Sequence, residues 1–194
     1  MKSFTTLPEG YREIFNVDLN KNKKAAVAIN VLATVIMLAM VIPMLAIRPF
    51  SIESSDGTAP YVRYAILIGG FLLYLVLHEA VHGIFMWLFS RQKPFFGIKG
   101  VYAYAGSNSF FPKMQYLIIG LSPIIIWGIV LTILCFAVPD DWFWYIYVIQ
   151  AMNISGAAGD IYVSAKFSRM PSDILVQDKG TAMAVYSINK ANKT

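Results

Sequence analysis

The sequence predicts an all-α polytopic membrane protein with four transmembrane helices and short β-hairpins outside the bilayer. Three observations carry that expectation: an apolar composition, four apolar runs of spanning length, and basic residues concentrated in alternate segments. Of 194 residues, 57% are hydrophobic and only 14% charged, against about 45–50% and 25% in soluble domains. A soluble chain of this size buries only about 70% of its unfolded surface, so the excess apolar material must face lipid. The single cysteine, Cys135, excludes an internal disulfide framework. The composition also excludes a disordered or collagen-like chain.

Taken in order against a spanning length of about 20 residues, the runs cover residues 25–47, 64–89, 116–138 and 142–163. The first is expected to be retained rather than cleaved. It begins at residue 25, exceeds a signal-peptide apolar region in length and lacks a small-x-small exit. Pro43 predicts a bend near its far end. The segment before it carries Lys2, Arg12, Lys21, Lys23 and Lys24; the second loop carries Arg91, Lys93, Lys99 and Lys113; the tail, residues 164–194, carries Lys166, Arg169, Lys179, Lys190 and Lys193. The first loop has only Arg48 and Arg63, balanced by Glu53 and Asp56, and the third is the acidic turn Pro139-Asp140-Asp141. Positive charge stays inside, so a multi-pass plasma-membrane protein with both termini cytoplasmic is expected. Phe50, Tyr61, Trp142, Trp144 and Tyr145 mark the outer interface, and Trp87 and Tyr116 the inner one. The net charge of +5 is then topological and directed at anionic lipid, with no nucleic-acid partner. Lys2 and the ending Asn192-Lys193-Thr194 suggest no lipid anchor.

Outside the spans, residues 8–20 mix apolar and charged types and are expected to lie on the membrane surface. In residues 91–115, FFGIK and VYAYA flank Gly100 and predict a hairpin or a pair of extended segments. In the tail, ILVQ, the turn Asp178-Lys179-Gly180 and TAMAVYSI predict a second hairpin. Without repeats or low-complexity linkers, residues 1–194 read as one domain.

A charge inside a span costs at least about 2.5–3.5 kcal/mol at the centre, so each needs a reason. His78, Glu79 and His82 lie in the second run and Asp160 in the fourth, and the two histidines are the only ones in the chain. They form His78-Glu79-Ala80-Val81-His82, an H-E-x-x-H on a predicted helix. Residues four apart rise about 6 Å and turn only about 40° from one another. Both imidazoles can therefore hold one Zn²⁺, and Glu79, turned by about 100°, can reach a water on it. The competing reading is a histidine pair satisfied by neighbouring helices.

A catalytic zinc needs a third protein ligand and an open position. Asp160 is the best candidate. It lies six residues before Lys166 as His82 lies nine before Arg91, which places both in the cytoplasmic half. Otherwise Asp160 is a helix-end carboxylate paired with Lys166 or an arginine. Asn153, seven residues earlier, would share its helix face about 10 Å away. It would serve a substrate backbone or an oxyanion, or equally an interhelical hydrogen bond without chemistry. The small residues between them allow close helix approach or local unwinding.

An HEAVH helix, an antiparallel helix with Gly120-Leu121-Ser122-Pro123 and an Asn…Asp helix resemble the three-helix core of the site-2 protease clan of intramembrane zinc metalloproteases. LPEGY, HEAVHG, FFGIKGVYAYA, the Ser-Pro helix, NISGAAGD and LVQDKG more closely resemble a group of small bacterial membrane proteins of unknown function catalogued as zincin peptidases. That resemblance covers nearly the whole chain. It implies His78 and His82 as ligands, Glu79 as catalytic acid/base and Asp160 as third ligand. Site-2 proteases usually carry Asn, a proline and then Asp-Gly; here Gly156 stands where proline is common, the Asn-to-Asp spacing is seven rather than eight, and Ile161 follows Asp160.

The expected function is an intramembrane zinc metallopeptidase with one Zn²⁺, hydrolysing peptide bonds of a membrane protein or peptide substrate near the cytoplasmic face. The alternative is a non-proteolytic zinc-binding membrane protein, a pseudoprotease or accessory subunit. A transporter is disfavoured, because four spans with one ligand cluster offer no relay across the outer half. The VYAYA segment is either an edge for strand addition or a loop along the membrane.

Overall fold

Six strands and five helices are present among the described residues of the computed structural model, which are 2–18, 22–50, 57–99, 102–180 and 182–188. Lys21, Glu53, Asp56, Gly100, Lys190 and Lys193, which entered the charge and hairpin expectations, lie outside them.

Strand β1 (Arg12–Asp18) leads into α1 (Lys23–Ile47). Asn22 starts the helix, its Oδ1 accepting the Ala25 N–H at 3.1 Å, as capping asparagines do. Helix α2 (Pro60–Ser90) opens on proline, which has no N–H to lose at a first turn. It stops where Arg91 takes φ 57°, its N–H bonding the Trp87 carbonyl at 2.8 Å. Strands β2 (Phe95–Lys99), β3 (Tyr102–Gly106) and β4 (Phe110–Pro112) precede α3 (Lys113–Ala137). Helices α4 (Asp140–Gly156) and α5 (Ala158–Ser168) are followed by β5 (Leu175–Asp178) and β6 (Ala182–Ser187).

Helices α1, α2 and α3 are long and apolar enough to cross a membrane, and only 6–28% of their most apolar windows is buried within the protein. On α1, Val27, Val31, Val35, Leu38 and Ile42 all point outward, an apolar surface that water does not favour. The fourth apolar run differs from expectation. It is two helices, interrupted at Ala157 (φ −80°, ψ 13°), beside Gly156 and close to Gly159, each about 1 kcal/mol less favourable than alanine in a helix. Local unwinding therefore replaces the shared helix face expected for Asn153 and Asp160.

Both expected hairpins are present: β2 pairs antiparallel with β3, and β5 with β6. In the second, Gly180 adopts φ 80° and donates to Asp178 Oδ1 at 2.7 Å. A Cβ there would overlap the Tyr104 ring. There is more β-structure than expected. The tail hairpin is the centre of an antiparallel four-stranded sheet in the order β1-β6-β5-β4. Residues 12–18, assigned from sequence to the membrane-surface segment, are an edge strand on β6 with an irregularity between Glu13 and Phe15, which blurs their alternation.

Packing sorts the chain into two compact units. One comprises Met1–Ala28, Glu79–Pro123 and Asp160–Thr194, the other Ile29–His78 and Ile124–Gly159. The first contains both sheets and a core including Met86, Phe111, Ile119, Phe167, Val176 and Val185. In the second, Tyr74, Leu131 and Ile149 pack with Phe71 and Trp127, while Cys135, Phe143 and Trp144 pack with Met44. Its two arginines face the acidic turn. Arg48 Nη2 is 2.7 Å from Asp140 Oδ1, and the buried Arg63 donates to the Asp141 carbonyl at 2.8 Å beneath the Trp142 ring.

Candidate metal centre

Helix α2 runs unbroken through the H-E-x-x-H turn. One ligand atom from each of His78, Glu79 and His82 lies within 4.8 Å of the others, as the helical repeat requires.

The buried His82 is oriented by a defect in α3. In an α-helix the Ile119 carbonyl would accept the N–H of residue 123, but that residue is Pro123, which has none. The Ile119 oxygen instead accepts from Ser122 Oγ at 3.0 Å and meets His82 Nδ1 at 2.9 Å. A carbonyl only accepts, so His82 carries its proton on Nδ1 and presents Nε2 as the ligand nitrogen. Asp160, in the first turn of α5, places Oδ2 3.6 Å from that Nε2. Two donors about 2.0–2.1 Å from one tetrahedral ion stand about 3.3 Å apart, so this contact, close enough for an ion pair, also has a spacing that two ligands of one metal would allow. Lys166, the alternative partner considered for Asp160, lays its Nζ over the Phe15 ring at 3.9 Å.

Glu79 faces the hairpin, its Oε2 accepting the Ala105 backbone N–H at 2.8 Å. The hairpin approaches α2 closely because residue 83 is glycine; a Cβ there would overlap the Phe96 ring. The β3 edge thus presents a backbone donor to the carboxylate.

In the other unit, the buried His78 Nδ1 lies 2.9 Å from Tyr74 Oη, which also bonds Asn153 Oδ1 at 3.0 Å. Asn153 is fully buried, and its Nδ2 donates to Gln150 Oε1 at 3.2 Å. The structure therefore brings Asp160 to His82 and links Asn153 to His78 through Tyr74. Two imidazoles engaged at Nδ1, with a carboxylate beside one of them, form a donor set suited to Zn²⁺.

Sequence reasoning missed three contributors. Tyr74 had a signal, since it stands four residues before His78 and hence on the same face. Pro123 stands four after Ile119, a signal of a released carbonyl. Ala105 acts through its backbone and had none. Asp178, read only as a turn residue, is buried and accepts the Tyr116 hydroxyl at 2.7 Å on Oδ2. Burial pushes its carboxyl above the usual aspartate range, against the pull of the Tyr116 and Gly180 hydrogen bonds.

Residues 71–175 match the model of a family described as "Putative zincin peptidase". A curated relative from Pyrococcus woesei, "Uncharacterized 24.7 kDa protein in gap 5'region", is 32% identical over 135 residues, or 67% of this chain. The aligned part spans 58% of that relative's length. No solved structure matches the chain. The matched region runs from just before Tyr74 through Asp160 to the start of β5 and covers more than half of the chain, so the protein belongs to the zincin peptidase family that this model describes.

Proposed function

We propose that the protein is an intramembrane zinc metallopeptidase that hydrolyses peptide bonds of membrane-associated substrates near the cytoplasmic face. The observation that carries this reading is the His78–Glu79–His82 turn, with Asp160 Oδ2 3.6 Å from His82 Nε2. His78, His82 and Asp160 are the ligands of one Zn²⁺. When bound, that ion supplies Lewis acidity, lowering the pKa of water and polarising a carbonyl.

Glu79 moves the protons. Its Oε2 is held by the Ala105 N–H, which fixes the carboxylate plane beside the histidines. The carboxylate takes a proton from the attacking water and passes it to the leaving amine. The carbonyl carbon gains the hydroxyl as its bond to nitrogen breaks.

A helical substrate hides its amides and must be extended before cleavage. The β3 edge opposite β2, which reaches Glu79 at Ala105, offers a strand for such a segment to join. Helices α1, α2 and α3 together with the interrupted α4–α5 pair make four crossings with both termini cytoplasmic. The basic segments support that orientation.

The test uses purified protein in lipid nanodiscs, loaded with zinc and mixed with single-span membrane peptides, with products identified by mass spectrometry. Glu79→Ala is expected to keep its zinc and lose cleavage. Cleavage surviving in that variant would overturn the peptidase reading. Zinc binding without cleavage in the wild type would favour a zinc-binding accessory protein.

A further inference from the structure

We infer that Tyr74, Asn153 and Gln150 form a directed hydrogen-bond chain that holds His78 in one tautomer, with its proton on Nδ1 and Nε2 presented for metal. The inference rests on His78 being a zinc ligand. It assigns positioning roles to three residues that do not themselves touch a metal.

The direction of the chain follows from its far end. The Gly128 carbonyl can only accept, and Gln150 Nε2 approaches it at 3.1 Å, with Thr132 Oγ1 at 3.0 Å. Gln150 must therefore turn its Nε2 that way and its Oε1 toward Asn153. Asn153 meets that oxygen at 3.2 Å, so it presents Nδ2 there and turns Oδ1 to Tyr74. The Tyr74 hydroxyl has one proton, which it gives to Asn153 Oδ1 at 3.0 Å. Toward His78, 2.9 Å away, it can then act only as an acceptor. His78 Nδ1 must be the donor, and the lone pair resides on Nε2. Each orientation is forced by the one before it, back to an atom with no alternative role.

Local packing suits the chain. Asn153 and Gln150 share a face of α4, three residues apart. Residue 128 on α3 is glycine, where a Cβ would sit 3.8 Å from Asn153 Nδ2. Asn153 is fully buried and has both ends of its amide engaged in orienting a neighbour. Histidine ligands are commonly held this way through the nitrogen that does not bind metal. Here the holding group is a tyrosine polarised by an asparagine.

The test compares full-length wild type, Tyr74→Phe, Asn153→Leu, the double variant and His78→Ala in nanodiscs. Zinc affinity is measured by competition with a chromogenic chelator, and ligand geometry by the visible spectrum of the Co²⁺-loaded protein. Imidazole ¹⁵N signals of the zinc-free protein report the tautomer. The chain has two histidines, so one substitution assigns them. Tyr74→Phe is expected to weaken zinc about 10-fold or more, to shift the Co²⁺ bands and to release His78 into a tautomer mixture. Asn153→Leu should do the same through Tyr74, and the double variant should be no weaker than Tyr74→Phe. Wild-type zinc affinity, Co²⁺ spectrum and tautomer in Tyr74→Phe would overturn the inference. Should that variant not fold, the same result in Asn153→Leu would do so. Wild-type zinc affinity in His78→Ala would overturn the metal-centre reading itself, a separate outcome.

Discussion

At the scale of single residues, the candidate centre depends on which atoms are denied their ordinary partners. The Ile119 carbonyl is free of its helical bond because residue 123 is proline, and His82 takes its place. Asp160 lies at the start of α5, where the partial positive charge of a helix N-terminus favours a carboxylate. Removing it should lower bound zinc: Asp160→Ala is expected to hold well under one equivalent under conditions that saturate the wild type. Equal metal in the two, measured by atomic emission, would take Asp160 out of the ligand set. Much of this was legible in the sequence, because charged groups stand out in apolar runs. His78, Glu79, His82 and Asp160 stand out as candidates through that contrast. Tyr74 does not, since a tyrosine among leucines looks like packing until its partner on another helix is known.

At the scale of elements, proline in α3 trades helix stability for histidine orientation. An interior proline costs about 3 kcal/mol, so Pro123→Ala is expected to keep or raise the melting temperature. The restored N–H of residue 123 would compete with His82 for the Ile119 oxygen, and zinc affinity should fall several-fold. Calorimetry and chelator competition on one preparation check both halves; unchanged affinity would show that the released carbonyl does not orient the ligand. The tail hairpin predicts a pH dependence. Burial holds the Asp178 carboxyl above its ordinary value, so the folded protein binds this proton more tightly than the unfolded chain. The stabilisation is fully present below the ordinary aspartate pKa of about 3.9 and is lost as pH rises through the raised folded value. In zinc-free protein, the melting temperature should fall across that window and Asp178→Asn should flatten the fall. Parallel curves for both proteins would assign the dependence elsewhere. Both hairpins could be read from alternating apolar runs around turn residues. The strand β1 could not, because its irregularity disturbs the alternation and its partner β6 lies at the other end of the chain.

For the whole molecule, the four-stranded sheet constrains the membrane crossing. Strand β1 precedes α1, β4 lies between α2 and α3, and β5 and β6 follow α5, yet all four belong to one hydrogen-bonded sheet. Strands in one sheet lie on one side of a bilayer, so the chain must cross an even number of times between each pair. On the proposed topology, α1 and α2, each long and apolar enough to cross a membrane, would supply two crossings between β1 and β4. Between β4 and β5, α3 would supply one, and the return would fall to α4 and α5. Their 17 and 11 residues rise about 25 Å and 16 Å, enough together for a hydrocarbon core of about 30 Å. On that topology the break at Ala157 would lie within the fourth span, three residues before Asp160. Single cysteines in a Cys135→Ser background test this with a membrane-impermeant maleimide on intact cells. Tyr61→Cys and Pro139→Cys should label from outside, whereas Thr5→Cys, Asn108→Cys and Ser172→Cys should label only after permeabilisation. Labelling of Ser172→Cys in intact cells while Thr5→Cys stays protected would mean that α4 and α5 do not cross. It would also mean that β5 and β1 cannot share a sheet in the membrane-embedded protein, so the parity of the spans and the register of the sheet stand or fall in one experiment.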